Sequence, residues 1–197
     1  MKKITPYCLL LGISLLVAGC ASLQVAYSPD DLPRVPVELR HRVEANVSVD
    51  LSTPSLSQEV HLKPSNQHGP YEAVYVPIRF LAPITESVVG EMSKDHAAPS
   101  GRNVICRITS VDIDYRFVKD GALNRIVEVK AMMQVAVSDN GVALPAKIYD
   151  TGFQRAFWTR ADVSGKAEFS MDGLSGAATY ALHSVVCDML KELVAAK

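Results

Sequence analysis

Chemistry-bearing residues are sparse in this 197-residue chain, and its four cysteines come first. Cys20 closes an apolar run, Cys8 to Gly19, that follows Lys2 and Lys3. Cys106 and Cys187 lie in the body of the chain, far apart in sequence. Asp112 and Asp114 stand two apart with Arg116 beside them. On a strand both carboxylates project from one face. Such a pair suits acid–base work, but a solvated face balanced by Arg116 is the better fit. The stretch GLSGA, from Gly173 to Ala177, approaches a nucleophile elbow, yet its second Gly falls one place early and no strand feeds it. Ser164-Gly165-Lys166 lacks the first Gly of a phosphate-cradling loop. His41, His61, His68, His96 and His183 are scattered, none at metal-ligand spacing. This set predicts no enzyme, no metal and no soluble cofactor.

Two lysines followed by a short apolar segment have the form of a secretory leader. At about 1.5 Å per residue the run spans about 18 Å, short of a hydrocarbon core about 30 Å thick. A membrane-spanning helix is therefore the poorer expectation. Val17-Ala18-Gly19-Cys20 resembles the lipobox of bacterial lipoproteins: a branched apolar residue, two small ones, then Cys. The resemblance implies that residues 1–19 are a signal peptide. It also implies that Cys20 becomes the first mature residue, diacylated on sulfur and acylated again on its amine by chains such as palmitate. Two or more chains make such an anchor durable. Ala21 and Ser22 follow, and similarity to enterobacterial lipoproteins, where Asp at that place retains the protein in the inner membrane, implies the outer membrane, facing the periplasm.

Loss of the leader leaves 178 residues, enough for one domain with its own core. Without Lys2 and Lys3, 18 cations face 21 carboxylates, a net charge of about −3. Nothing in that balance points to nucleic acid, and no polybasic run points to a second electrostatic membrane contact. Residues 20–40 carry the lipidated Cys and then "SLQVAYSPDDLPRVP", whose three prolines predict an extended tether. Residues 41–197 remain for a single domain.

Within it, Val43, Ala45, Val47, Val49 and Leu51 alternate with polar partners as in a half-buried strand. "QEVHLKP" reads as a short second strand. "AVYVPIRFL" is apolar, and its Pro77 makes it an edge strand or the lead into a helix. Pro83 suits a first helical turn ahead of Ile84, Val88, Val89 and Met92. A long strand follows whose apolar parity switches between Val104, Cys106, Ile108 and Val111, Ile113, Tyr115, Phe117. That switch predicts a β-bulge near Thr109-Ser110. The next strand alternates cleanly from Val127 to Val137, and Asn140-Gly141 is a turn signal. A third strand is expected from about Lys147 to Thr159, then a helix from Leu174 to Ala195 with Asp172 as its cap. The expected fold is α+β: an antiparallel sheet with two helices packed on one face.

The last helix has two apolar stripes. Leu174, Ala178, Ala181, Leu182, Val185, Met189 and Leu193 must meet the sheet, while Tyr180, His183, Cys187, Leu190 and Val194 lie nearly opposite. Either the tether, through Leu32, Val35 and Val37, folds back over the second stripe, or the stripe docks a partner. Cys187 faces away from the sheet in this scheme, so free thiols are expected at Cys106 and Cys187. Phe157 and Trp158 are adjacent on a strand and point to opposite faces. Trp158 joins the candidate partner-binding residues as an aromatic for an open sheet face.

The order of lipobox, tether, strand, helix, three-strand meander and long C-terminal helix is similar to a group of small outer-membrane lipoproteins. The group includes the lipopolysaccharide-assembly lipoprotein LptE, the YajG-type lipoproteins and the auxiliary lipoproteins of envelope lipid transporters. The resemblance implies a non-enzymatic accessory that docks onto or stabilises an envelope assembly or transport machine through a protein partner. Alternatives are a lipid-binding module of the envelope and, less favoured, a periplasmic hydrolase. Only Cys20 is carried over as a site residue.

Overall fold

The computed structural model describes residues 23–29, 32–40, 45–65, 72–93, 101–120, 124–160 and 171–195, with the backbone alone at residues 23, 119–120, 124–126, 155–160, 171–172 and 195. Residues 1–19, expected as a signal peptide, and Cys20 lie outside the described residues. Along the chain run β1 (Leu23–Gln24), α1 (Val37–Arg40), β2 (Asn46–Asp50), a 3-10 turn (Pro54–Ser57), β3 (Val60–Leu62), β4 (Ala73–Tyr75) and α2 (Pro77–Ser93). Then come β5 (Asn103–Asp120), β6 (Asn124–Asp139), β7 (Val142–Ala143), β8 (Lys147–Asp150), β9 (Gln154–Arg160) and α3 (Met171–Ala195).

A mixed α+β fold results, with α2 and α3 packed against the main sheet. That sheet runs β2-β5-β6, and β7, β8 and β9 all pair with the far edge of β6. It is not purely antiparallel. β2 runs parallel to β5, from Asn46 opposite Asn103 to Asp50 opposite Arg107. The reason is the connection: a helix, α2, intervenes between the two strands, and such a crossover returns the chain in the same direction. A second sheet of three short strands, β1-β4-β3, also contains a parallel pair, β1 with β4.

The expected bulge is present, with the β5–β6 register shifting between Ile108 and Ser110. Val104, Cys106 and Ile108 before it, and Val111, Ile113 and Tyr115 after it, are all buried. The extra residue lets one strand present its apolar side to the helices along its whole length. Carbonyls freed at the bulge are taken up locally: the Thr53 hydroxyl donates to Ile108 at 2.7 Å and the Ser55 hydroxyl to Thr109 at 3.2 Å. Each such bond contributes about 1 kcal/mol.

Asn140 (φ 49°) and Gly141 (φ 81°) form the two-residue turn that ends β6, both in the left-handed region a tight hairpin demands. The strand expected from Lys147 to Thr159 is broken at residues 151–153, where Gly152 has φ 64°. There Thr151 replaces the ladder: its N–H donates to the Ala131 carbonyl at 3.1 Å, and its hydroxyl accepts from the Ala131 N–H at 3.0 Å. α2 begins at Pro77, whose missing N–H costs nothing in a first turn, and Pro83 lies inside the helix rather than at its start.

The tether is not a separate extended segment: as in the first of the two readings of the last helix's second stripe, it folds back over that helix. From Leu23 on it belongs to the domain. β1 pairs with β4, the Ala26 N–H donates to the Ser175 hydroxyl at 3.1 Å, and the Ser28 N–H donates to the Thr179 hydroxyl at 3.4 Å. Val25, Val35 and Leu39 are buried in the common core, while Val37, expected to cover the helix, is exposed. Residues 23–29 and 32–40 therefore strap the outer side of α3.

Candidate functional site

Where the strap crosses α3, Pro33, Arg34 and Pro36 face Tyr180, His183, Ser184, Cys187 and Asp188 across a cleft of about 240 Å³. α3 supplies His183 and Cys187 one turn apart on a single face, because residues four apart on a helix are neighbours. The Cys187 sulfur lies 3.7 Å from His183 Nδ1 and 3.9 Å from Nε2. Glu91 of α2 acts electrostatically on both and is itself held by Arg40 of α1 at 3.1 Å.

Thiol, imidazole and carboxylate are the parts of a cysteine nucleophile with its base. Their electrostatics run the wrong way for it. Burial first, then the charges of Asp188 and Glu91, push the Cys187 thiol up to about 12. It stays protonated at neutral pH and carries no thiolate character. Burial holds His183 below its ordinary value of 6.5, against the pull of Glu91. Only 3% of His183 and 4% of Cys187 is exposed, so both pack as neutral core. Cys106, also free and fully buried, is likewise raised to about 12 by burial.

A buried neutral histidine carries a pH signature. Because the folded pKa of His183 lies below 6.5, the unfolded chain takes up the proton first as pH falls. Its contribution to stability is therefore complete above about pH 6.5 and shrinks as pH drops through the folded value. Thermal midpoints at about pH 5 and about pH 8 should differ in that direction, and His183→Leu should narrow the gap. A gap unchanged by the substitution would assign the pH dependence to other groups.

The remaining sequence-derived candidates separate. Leu190 is fully buried on the same stripe, Val194 is partly buried against the core, and Tyr180 is 43% exposed. The stripe is thus not an open docking face: the strap and α1 occupy it, leaving Tyr180 at the rim. Trp158 lies in β9 opposite Ile126, but its side chain is outside the described residues. Ser175 of the GLSGA stretch is buried inside α3 and accepts the Ala26 N–H. Arg116 balances Glu128 at 2.7 Å, not the aspartate pair, and stacks 4.1 Å over the Phe153 ring. Asp114 lies opposite Lys130, which pairs with Asp150 at 3.0 Å. His61 pairs with Glu72 at 3.0 Å; His41, His68, His96 and the Ser164–Lys166 stretch lie outside the described residues. Among the described residues no cluster of three or more His, Cys, Asp or Glu side chains is arranged to hold a metal.

No protein-family model matches the chain, and no curated protein matches it. Among solved structures, it is similar to the crystal structure of protein XCC0632 from Xanthomonas campestris, of family DUF330, at 14% identity and a TM-score of 0.37. That likeness covers 88% of this chain and 89% of the other.

Proposed function

We propose that this protein is a non-enzymatic accessory lipoprotein, anchored through acylated Cys20 to the periplasmic face of the outer membrane, that docks onto an envelope assembly or transport machine. The observation that carries this reading is Val17-Ala18-Gly19-Cys20 at the end of a short apolar leader. Its setting supports it: Cys20 stands three residues ahead of Leu23, which is already paired in β1. Fully extended, three residues reach about 11 Å, so the anchor would hold the domain against the bilayer. No helix among the described residues is long and apolar enough to cross a membrane.

Docking falls to surfaces other than the second stripe of α3. The sheet face opposite the helices offers exposed Ile105 (45%) and Ile148 (71%) among Arg107, Asp112 and Gln134. Shielding an acyl chain between sheet and helices is less favoured. That layer is filled by residues such as Ile108, Val129, Met133 and Leu182, each of these at most 1% exposed.

Affinity purification of the acylated protein from cross-linked, detergent-solubilised envelopes is the test. A stoichiometric partner that is itself an envelope transport or assembly protein, lost on Ile148→Asp, supports the accessory role. Absence of any stoichiometric partner would sink it.

A further inference from the structure

The two edges of the main sheet are built differently. On the far side of β6 the edge is cut into pieces, β7, β8 and β9. Pro145, Lys147 and the break at Gly152 interrupt it, and such features keep a foreign strand from adding to an edge. β2 forms the opposite edge, and among the described residues no strand pairs with its outer side. Its sequence, Asn46-Val47-Ser48-Val49-Asp50, holds no proline and no lysine.

The ladder fixes which backbone groups this edge offers. The Asn46 N–H donates to the Arg102 carbonyl at 2.8 Å, and Asn46 lies opposite Asn103. Alternate residues of a strand turn their backbone to a given neighbour, so Asn46, Ser48 and Asp50 bond toward β5. The N–H and C=O groups of Val47 and Val49 therefore point outward. Side chains alternate as well. Ser48 is exposed on the open face with Ile105, its partner in the register. Val47 and Val49 are half-buried on the helix side, opposite Val104 and Cys106. A strand added here would complete hydrogen bonds at both valines and cover what remains exposed of their side chains.

NVSVD also reads nearly the same in both directions, an asparagine at one end answering an aspartate at the other. A two-fold interface requires such a patch, complementary to itself. With Ser48 opposite Ser48 of a second, antiparallel copy, Val47 of each chain faces Val49 of the other. The Asn46 amide then faces the Asp50 carboxylate across the seam. Apolar pairs and hydroxyl pairs directly opposite stabilise a sheet. A parallel copy in register would instead set Asp50 against Asp50, and like charges opposite destabilise it.

We propose that the outer edge of β2 pairs antiparallel with β2 of a second copy of this chain, about a two-fold axis at Ser48, joining the two main sheets into one. The pairing rests on β2 and β5 alone and holds with or without acyl chains on Cys20.

Ser48 bonds toward β5, so its pair across the axis is a non-hydrogen-bonded one, with Cα atoms about 4.5 Å apart. That separation lies within the range of about 4.4–6.8 Å that a disulfide spans. Ser48→Cys in the full-length chain should therefore give a disulfide-linked dimer on copper–phenanthroline oxidation, seen on a non-reducing gel. Cys106 and Cys187 are buried, and wild type reports the background from any other thiol. Asn46→Cys should not link to itself, because the two positions stand four residues apart, about 14 Å. Mixed with Asp50→Cys, it should link. Ser48→Lys, at an exposed position, sets two cations at the axis and should lower co-purification of two differently tagged copies about fivefold. A Ser48→Cys chain that dimerises no faster than wild type would overturn the proposal. Equal linking by Asn46→Cys alone would do the same, as the mark of random collision. A Ser48→Cys disulfide to a different envelope protein also overturns it, giving the edge to a partner. Should Ser48→Cys misfold, co-purification decides: tags that never travel together, or travel equally with Ser48→Lys, end it.

Discussion

Leu190→Asp will unfold the domain rather than free its surface. Leu190 is fully buried on the side of α3 that carries His183 and Cys187, beneath the layer formed by the strap, α1 and α2. Truncating a buried leucine costs about 2–5 kcal/mol through lost transfer energy and the cavity left behind. An aspartate adds a carboxylate that must be desolvated or protonated there, with Glu91 and Asp188 close to the same stripe and of the same sign. Total stability of a domain this size is about 5–15 kcal/mol, so the substitution removes most or all of it. Tyr180→Ala at the 43%-exposed rim should move the denaturation midpoint little, by about 0.5 kcal/mol. Urea titration followed by circular dichroism reads both. A Leu190→Asp chain that unfolds at the wild-type midpoint would mean that the strap does not cover α3, and the stripe would again be a docking face.

Local features were legible in the sequence and non-local ones were not. A parity switch at Thr109 is a statement about one strand, and the bulge followed; Asn140-Gly141 and the apolar face of β6 were local in the same sense. That the strap folds back over the second stripe was one of two readings the sequence left open; its course was not legible, because its prolines suppress any periodicity and leave extended backbone with no visible partner. Its partners, Ser175 and Thr179, lie about 150 residues downstream. The sequence did show that α3 had one apolar stripe too many, and the strap is what that stripe required. Strand direction was hidden too, since alternation in β2 marks a half-buried strand whether its neighbour is parallel or antiparallel.

Cys20→Ala should remove the protein from the outer membrane without altering the fold. The thiol is the only atom at that position able to form the thioether, so the substitution blocks diacylation and the peptidase cut that follows it, and residues 1–19 remain attached. A single acyl chain binds a bilayer only marginally, whereas two or more hold it durably at about 0.8 kcal/mol per buried CH₂. Density-gradient fractionation should find wild type in the outer-membrane band and the variant absent from it. Mass spectrometry should find acylated Cys20 at the mature N-terminus of the first and an unacylated, uncleaved N-terminus on the second. The thermal midpoint should be the same for both, because Cys20 precedes the first strand by three residues. A variant still banding with the outer membrane would refute the anchor. A variant that shifts both location and midpoint would instead mean that acylation is part of what holds the strap on α3, tying the anchor to the stability of the fold itself.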